Sequence, residues 1–546
     1  MIRNGFILVI LALLFSCGEQ KTQADLILHN AVIYSVDSSF TLYEAMAVKD
    51  GRIIALGKSH TILKNYRAPV VEDAKGNTVF PGFIDAHCHF VGYGLGLKNV
   101  NLLGTGSFSE VVERITSAVR TDPKDTSWII GRGWDQNDWP SKRLPSKEKL
   151  DSLFPHRPVM LTRIDGHAVL VNSEALRLAG VTFTTQVQGG EIIRSGTALS
   201  GVLVDNAVNL VTSVIPAPGK QRTEDALLSA QINCLAKGLT TVDDAGLMKK
   251  DVDLIDNMQK EGKLKIRVYA MLSDSAPNYA YYLNKGPYKT DRLNVRSFKF
   301  YADGALGSRG ACLFKDYSDK PGWKGFLLTS MKHFEKYADI MDKKGFQMNT
   351  HCIGDSALNM VMDIYIRHCN EKPAHRWRIE HAQVLTNDDF KNFSSDIIPS
   401  VQPTHATSDM YWAAGRLGKE RMKNAYAYKE LLNAAGLIAL GTDFPVEDIS
   451  PFKTFYAAVA RQDSSGFPKE GFQMENALSR QESLKGMTIW AAYANFEDRE
   501  KGSLEAGKLA DFIILDKDIM RCPIKQVLHA NVLATYINGE KVFSAK

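Results

Sequence analysis

Along the middle of the chain, short apolar runs alternate with longer segments of helical period. Eight of the runs have strand character, each leading into polar or glycine-containing residues: 81–90, 238–246, 265–272, 296–305, 346–355, 376–383, 397–405 and 437–445. Helical patterns lie between them, for example at 329–344 and 356–371. Strands that alternate with helices read as βα units. Eight such units predict an α/β fold, a (β/α)8 TIM barrel spanning 81–499. The stretch between the first and second runs is far too long for one helix. Residues 95–237 are therefore expected to form an insertion after the first strand. Barrel active sites lie where strands end, so this insertion would overhang the site.

The two ends of the chain have a different rhythm. Residues 25–80 and 500–546 hold short β-branched runs broken by turn signals, with Asp50-Gly51 and Asn538-Gly539 as hairpin dipeptides. Together they predict one small β-sandwich domain built from both termini; two separate peripheral sheets are the alternative. Ahead of them, Arg3 precedes a ten-residue apolar run, Phe6–Phe15, and then Ser16-Cys17-Gly18. Ten apolar residues suit a secretory leader better than a membrane-spanning helix. The small residue before Cys17 resembles a lipobox. Residues 1–17 are thus expected to be a lipoprotein signal peptide, with Cys17 the lipid anchor and 18–24 a polar tether. The alternative is an ordinary signal peptide cut nearby. Both readings export the protein, and the first leaves it in the cell envelope, periplasmic or outer-membrane associated.

Composition narrows the partners. The 546 residues are 45% hydrophobic and 23% charged, which are globular values for a sizeable core. A net charge of +5 with no basic stripe argues against nucleic acid and leaves a small-molecule substrate as the expected partner. A homodimer is the default assembly. Apart from Cys17, six cysteines remain, with no framework spacing and no C-x-x-C. Buried free thiols are expected.

Metal-capable side chains stand at the strand ends. His87 and His89 are two apart in the first strand, and such residues point the same way. Two imidazoles there can share one cation. His351 ends the fifth strand, His381 the sixth and Asp443 the eighth, and Lys299 lies on the fourth. One histidine alone says little; four with a carboxylate at one barrel mouth form a joint pattern. Imidazole and carboxylate donors suit Zn²⁺ or a similar divalent ion. Softer candidates are His405 after the seventh strand, Arg309 just past the fourth, and Trp134 and His167 in the insertion. On the residues alone, Arg309 reads equally as an anion contact or a solvated loop residue. Trp134 reads equally as a pocket wall or as core. Asp355 is a candidate partner for the far nitrogen of His351. Glu380, beside His381, is expected on the opposite strand face in a structural role.

The runs PGFIDAHCHF, GTDFP and GSLEAGKLADFIILD resemble the amidohydrolase superfamily. GRGWDQNDWP (131–140), RIDGHAVLVNSEAL (163–176), KFYADGALGSRGA (299–311), HCIGDSAL (351–358) and RIEHAQ (378–383) are similar to the amidohydrolase-3 group. That group includes N-substituted formamide deformylase-like metal-dependent hydrolases. The resemblance implies that His87, His89, His351 and His381 ligate one or two divalent ions, Zn²⁺ foremost. It implies that Asp443 both binds metal and acts as general base. It matches Lys299 to the fourth-strand lysine that, in binuclear members, carries a CO2-derived carbamate bridging two metals. It places the Trp134, Asp135 and His167 motifs near the pocket roof. An ammonium would repel a cation and has no lone pair. Lys299 is therefore neutral, carbamylated or turned away, or else paired with Asp303.

The resulting expectation is hydrolysis of a carbon–nitrogen bond other than a peptide bond, in an amide, N-formyl or N-acyl amine. Asp443 would take the proton of a metal-activated water and return it to the leaving nitrogen, with His351 and His381 polarising the carbonyl. Two alternatives stand beside it. One is a hydrolase of a cyclic amide, lactone or carbamate. The other is a non-catalytic, surface-anchored binding protein on a retired barrel.

Overall fold

In the computed structural model the described residues are 21–121, 127–369 and 374–545. The leader with Cys17 lies outside them.

The barrel strands are β1 (Phe83–Cys88), β2 (Leu239–Leu247), β3 (Arg267–Ser273), β4 (Leu293–Tyr301), β5 (Gln347–Cys352), β6 (Trp377–His381), β7 (Ile397–Val401) and β8 (Ala439–Leu440). They lie side by side in chain order and all pair in parallel. The predicted helical stretches close the units between them. Met331–Lys344 begins at Ser330, whose hydroxyl accepts the His333 N–H, and ends at Gly345 with φ +72°. That left-handed residue terminates the helix and turns the chain into β5.

Closure between β8 and β1 is made by a few backbone bonds just past the strands. Asp443 N donates to His87 O at 2.7 Å, and His89 N donates to Phe444 O at 2.8 Å. Asp85 clamps the same seam, accepting the Thr442 N–H at 2.9 Å and its hydroxyl at 2.7 Å. Gly441 makes the approach possible, because a Cβ there would sit 2.5 Å from His87 N. Only glycine lets the two backbones come so near.

Residues after β1 form a six-stranded sheet in the order Val100–Asn101, Ile129–Trp134, Val159–Arg163, Ala168–Val171, Ala198–Asp205, Gly190–Ser195. It has apolar clusters of its own, one around Leu102, Trp134 and Leu161 and another around Val169, Leu176 and Leu203. The insertion is shorter than 95–237. The helix Lys220–Ala236 buries Leu227, Ala230 and Cys234 in the barrel core and is the first helix of the barrel itself.

The chain ends build two sheets. One runs Arg52–Gly57, Ala45–Lys49, Leu26–His29, Val70–Asp73; the other runs Glu540–Ser544, Val532–Ile537, Phe512–Leu515, Thr78–Pro81, Val32–Tyr34, Leu42–Tyr43. Leu28, Met46, Val48, Phe512 and Ile514 share one core between them. Only the six-stranded sheet draws on both ends of the chain. The expected tether is structured over its described part. Thr22–Gln23 pairs in parallel with Tyr66–Arg67, and Ala24 is fully buried. Ala24 N donates to Arg67 O, which fixes the start of the domain earlier than residue 25. The six cysteines after Cys17 are free thiols, four of them buried. Among the described residues no helix is long and apolar enough to cross a membrane.

Arg267 on β3 joins the barrel to the terminal sheets through a buried two-pronged pair with Asp511, at 2.6 and 3.0 Å. Removing one partner strands a buried charge, at a cost of about 3–5 kcal/mol. Asp511→Asn is expected to lower the midpoint of chemical denaturation accordingly. Glu500→Gln, which breaks the exposed Lys289–Glu500 pair, should change stability by less than about 1 kcal/mol.

Candidate metal centre

The seam sets the centre. Asp443 has φ +60° and His381 φ +73°, both left-handed positions at the ends of β8 and β6. Such kinks break the alternation of a strand, so neighbouring residues can serve one site. Two donor triads are close enough to share a cation among the described residues: His87, His89 and Asp443, and His381, His405 and Asp443. Within each, the donor atoms lie within 4.8 Å of one another. Asp443 Oδ1 stands 3.2 Å from His89 Nε2 and 3.9 Å from His87 Nε2, and Oδ2 stands 3.6 Å from His405 Nε2. Both triads therefore meet at one carboxylate.

Three imidazoles are oriented alike. His87 Nδ1 lies 2.5 Å from Glu380 Oε2, His89 Nδ1 lies 3.0 Å from the Ala245 carbonyl, and His381 Nδ1 lies 2.7 Å from Gln402 Oε1. Each partner is an acceptor, so each Nδ1 carries the proton and donates it. The Nε2 lone pairs are left for the centre, the arrangement that oxygen acceptors behind metal-binding histidines produce. Burial lowers His87 to about 4, assisted by Lys299. His351 and His381 are also pushed well down, first by burial and then by neighbouring imidazoles. All three are neutral at physiological pH and able to donate a lone pair.

Burial alone would raise Asp443, but His89, His87 and His405 hold it well below the usual carboxylate range. Its Oδ1 is buried without a hydrogen-bond partner, as are His351 Nε2 and His405 Nε2. Unpaired buried polar atoms are costly. Asp443 Oδ1 and His405 Nε2 belong to the donor triads, and a divalent cation of the zinc type held among these donors would satisfy both.

Lys299 faces the centre. It is 1% exposed, with Nζ 3.0 Å from His87 Nε2, and burial lowers it to about 8. It makes no pair with Asp303. That carboxylate instead accepts the backbone N–H groups of Cys312, Ile353 and Gly354, pinning the loops after β4 and β5.

Several expectations are corrected. His351 joins neither triad: it packs on His381 with ring centroids 4.5 Å apart, and its Nε2 stands 3.9 Å from Asp303. His405, one of the softer candidates, is a donor in the second triad. Glu380 does not face away. It is fully buried against His87, because the kink at His381 frees it from strict alternation with its neighbour. Asp355 accepts the Phe314 and Ser356 N–H groups rather than supporting His351. Arg309 turns from the cavity to grip Asp319 at 2.9 and 3.1 Å. Trp134 is core: Gly133, at φ +112°, carries a register shift that turns the indole inward to donate to Leu161 O at 2.7 Å. His167 does line the cavity, its Nδ1 2.6 Å from Asp205.

Glu380 belongs to a fully buried charge network. Arg378 meets Glu380 at 2.6 Å and Asp243 at 2.9 Å, and its guanidinium also donates to Ser400 and to the Ala86 carbonyl. Burial alone would raise Glu380, but Arg378, His87 and Lys299 hold it at about 2. It stays an acceptor, so His87 keeps one tautomer.

A cavity of about 620 Å³ opens above the centre, floored by His87, His381 and Asp443 and roofed by the insertion. An eight-stranded barrel with histidine and carboxylate donors at one mouth defines a hydrolase scaffold of the metal-binding kind. The chain matches the amidohydrolase family over residues 70–543. It is 35% identical to Protein LONG AFTER FAR-RED 3 of Arabidopsis thaliana, over 95% of this chain and 92% of that one. It is 28% identical to the N-substituted formamide deformylase of Arthrobacter pascens, over 94% and 97%. An uncharacterized metal-dependent hydrolase from Pyrococcus horikoshii OT3 superposes with a TM-score of 0.73 at 26% identity, covering 91% of this chain and 99% of that one. The chain belongs to the amidohydrolase family and is a hydrolase.

Glu380→Gln keeps the shape but weakens the charge behind His87. Metal affinity is expected to fall about 10–100-fold, read by competition with a chromogenic chelator, while circular dichroism stays unchanged.

Proposed function

We propose that this enzyme hydrolyses a carbon–nitrogen bond outside peptides, in an amide, N-formyl or N-acyl amine. The observation that carries the reading is the pair of donor triads sharing Asp443 on the floor of a closed-bottomed cavity. The formamide deformylase of Arthrobacter pascens supports the choice of bond. His87 and His89 would hold one divalent ion, with His381 and His405 the donors for a second.

A bound divalent ion supplies Lewis acidity, lowering the pKa of water from about 16 to about 7. Asp443 is the base. Held ionised among the histidines, it accepts the proton of the attacking water and later returns it to the leaving nitrogen. His351, neutral and outside both triads, would donate the N–H of its Nε2 tautomer to the carbonyl oxygen as negative charge develops there. The leaving amine departs as the C–N bond breaks, and the acyl group leaves as a carboxylate.

Lys299 is the position for a CO2-derived carbamate. Its nitrogen is buried beside His87 and partly neutral near pH 8. A neutral amine adds CO2 to give a carbamate anion and one proton, turning a repelling cation into an oxygen donor. Export and lipid attachment at Cys17 complete the proposal.

Asp443→Asn is expected to lower kcat about 10²–10⁴-fold; metal content measured on the same sample separates loss of the base from loss of the ion. Retained kcat would overturn the role of Asp443. Lys299→Ala should lose metal and activity, with partial rescue by short carboxylic acids. Full metal content without rescue would rule out a bridging carbamate. Cys17→Ser should shift the protein from the membrane to the soluble fraction of the producing cells.

A further inference from the structure

The roof of the cavity is one face of the insertion sheet. Strands Ile129–Trp134 and Val159–Arg163 run in parallel, with Ile130 opposite Met160 and Arg132 opposite Thr162. All four residues line the cavity. Residues two apart on a strand share a face, so Arg132 is set among apolar neighbours. Ile164, Val208 and Leu328 extend the same wall.

Arg132 differs from the other cations of this cavity. Arg163 is saturated, its Nη1 2.6 Å from Asp165 and its Nη2 paired with Asp135. Lys299 faces His87. Arg132 forms an ion pair with no carboxylate among the described residues. One of its N–H groups donates to Ile164 O at 3.0 Å, and its Nε is buried without any partner. Gly166 leaves room beside the guanidinium: a Cβ there would lie 3.5 Å from both terminal nitrogens. Asp165, a cavity carboxylate that acts on it, is already engaged by Arg163.

A guanidinium stays charged at any pH the protein meets. Lodged in an apolar wall with its fork largely unused, it carries an unmet demand for a planar anion. Arg132 lines the same cavity as His87, His381 and Asp443, so an anion bound at Arg132 can belong to a molecule that also reaches the metal centre. We propose that the substrate carries a carboxylate, bound by Arg132, with an apolar substituent along Ile130, Met160 and Ile164. The preferred substrate class is then an N-acyl or N-formyl amine bearing a carboxylate rather than a neutral amide. This rests on the C–N hydrolysis reading for the bond but not for the anion site.

The test uses the full-length, metal-loaded protein and paired compounds. N-formyl-leucine and its neutral N-methylamide place the charge on the amine side. N-benzylsuccinamic acid and its methyl ester place it on the acyl side. Charge-assisted hydrogen bonds predict a preference of about tenfold or more in kcat/KM for the acid of at least one pair. In Arg132→Gln the preference should collapse to within about twofold through KM, with the neutral partner unaffected. Arg132→Lys should restore part of it. Equal rates for acid and neutral compounds in the wild type, or an equal fall for both in Arg132→Gln, would overturn the proposal.

Thermal-shift binding keeps the two readings apart. If no compound is cleaved, the bond assignment fails. The anion site then stands if either acid raises Tm of the wild type but not of Arg132→Gln, and falls if acid and neutral partners act alike. Circular dichroism and the Tm of the unliganded variants check that each remains folded.

Discussion

The centre depends on how the barrel is closed. The last strand is only two residues long, and it meets the first through a handful of backbone bonds and the Asp85–Thr442 clamp. Gly441 lets the two backbones approach within a distance no side chain would tolerate. That approach sets Asp443 beside His87 and His89, although more than three hundred and fifty residues separate them in sequence. A looser seam would still make a barrel, but the carboxylate would not reach the imidazoles.

Behind the donors lies a second layer of constraint. Each oriented histidine leans on an oxygen acceptor through Nδ1, and for His87 that acceptor is part of a buried salt-bridge cluster with Arg378 and Asp243. Such a cluster is expensive to desolvate and adds little net stability. Its use is geometric. It keeps one imidazole in one tautomer and one orientation, which a solvated carboxylate would not do.

Much of the barrel was legible from the chain, because apolar runs of strand length alternate with helical periods and the strand ends carry the donors. The eight runs all became strands, and His87, His89, His381 and Asp443 converge as their positions suggest. What could not be read was local backbone geometry. Strict alternation put Glu380 outside, yet the left-handed turn at His381 brings it in. Pocket wall or core was left open for Trp134, and the register shift at Gly133, which no pattern announces, decides for core. The GRGWD run drew attention to its aromatic residue, while the cavity uses its arginine. His405 stood among the softer candidates because it lies in a short helix, Pro403–Asp409, that starts right after β7, too soon for sequence periodicity to resolve. The start of the terminal domain was misplaced for a similar reason: two residues of pairing leave no pattern.

The roof sheet folds around its own apolar clusters, apart from those of the barrel. The wall over the cavity thus has packing of its own and meets the barrel at a few contacts, His167 against His351 among them. Its cavity-facing residues rest on that separate core, while the donor triads rest on the barrel. A scaffold divided in this way lets the shape of the roof be altered on one core while the chemistry is kept on another.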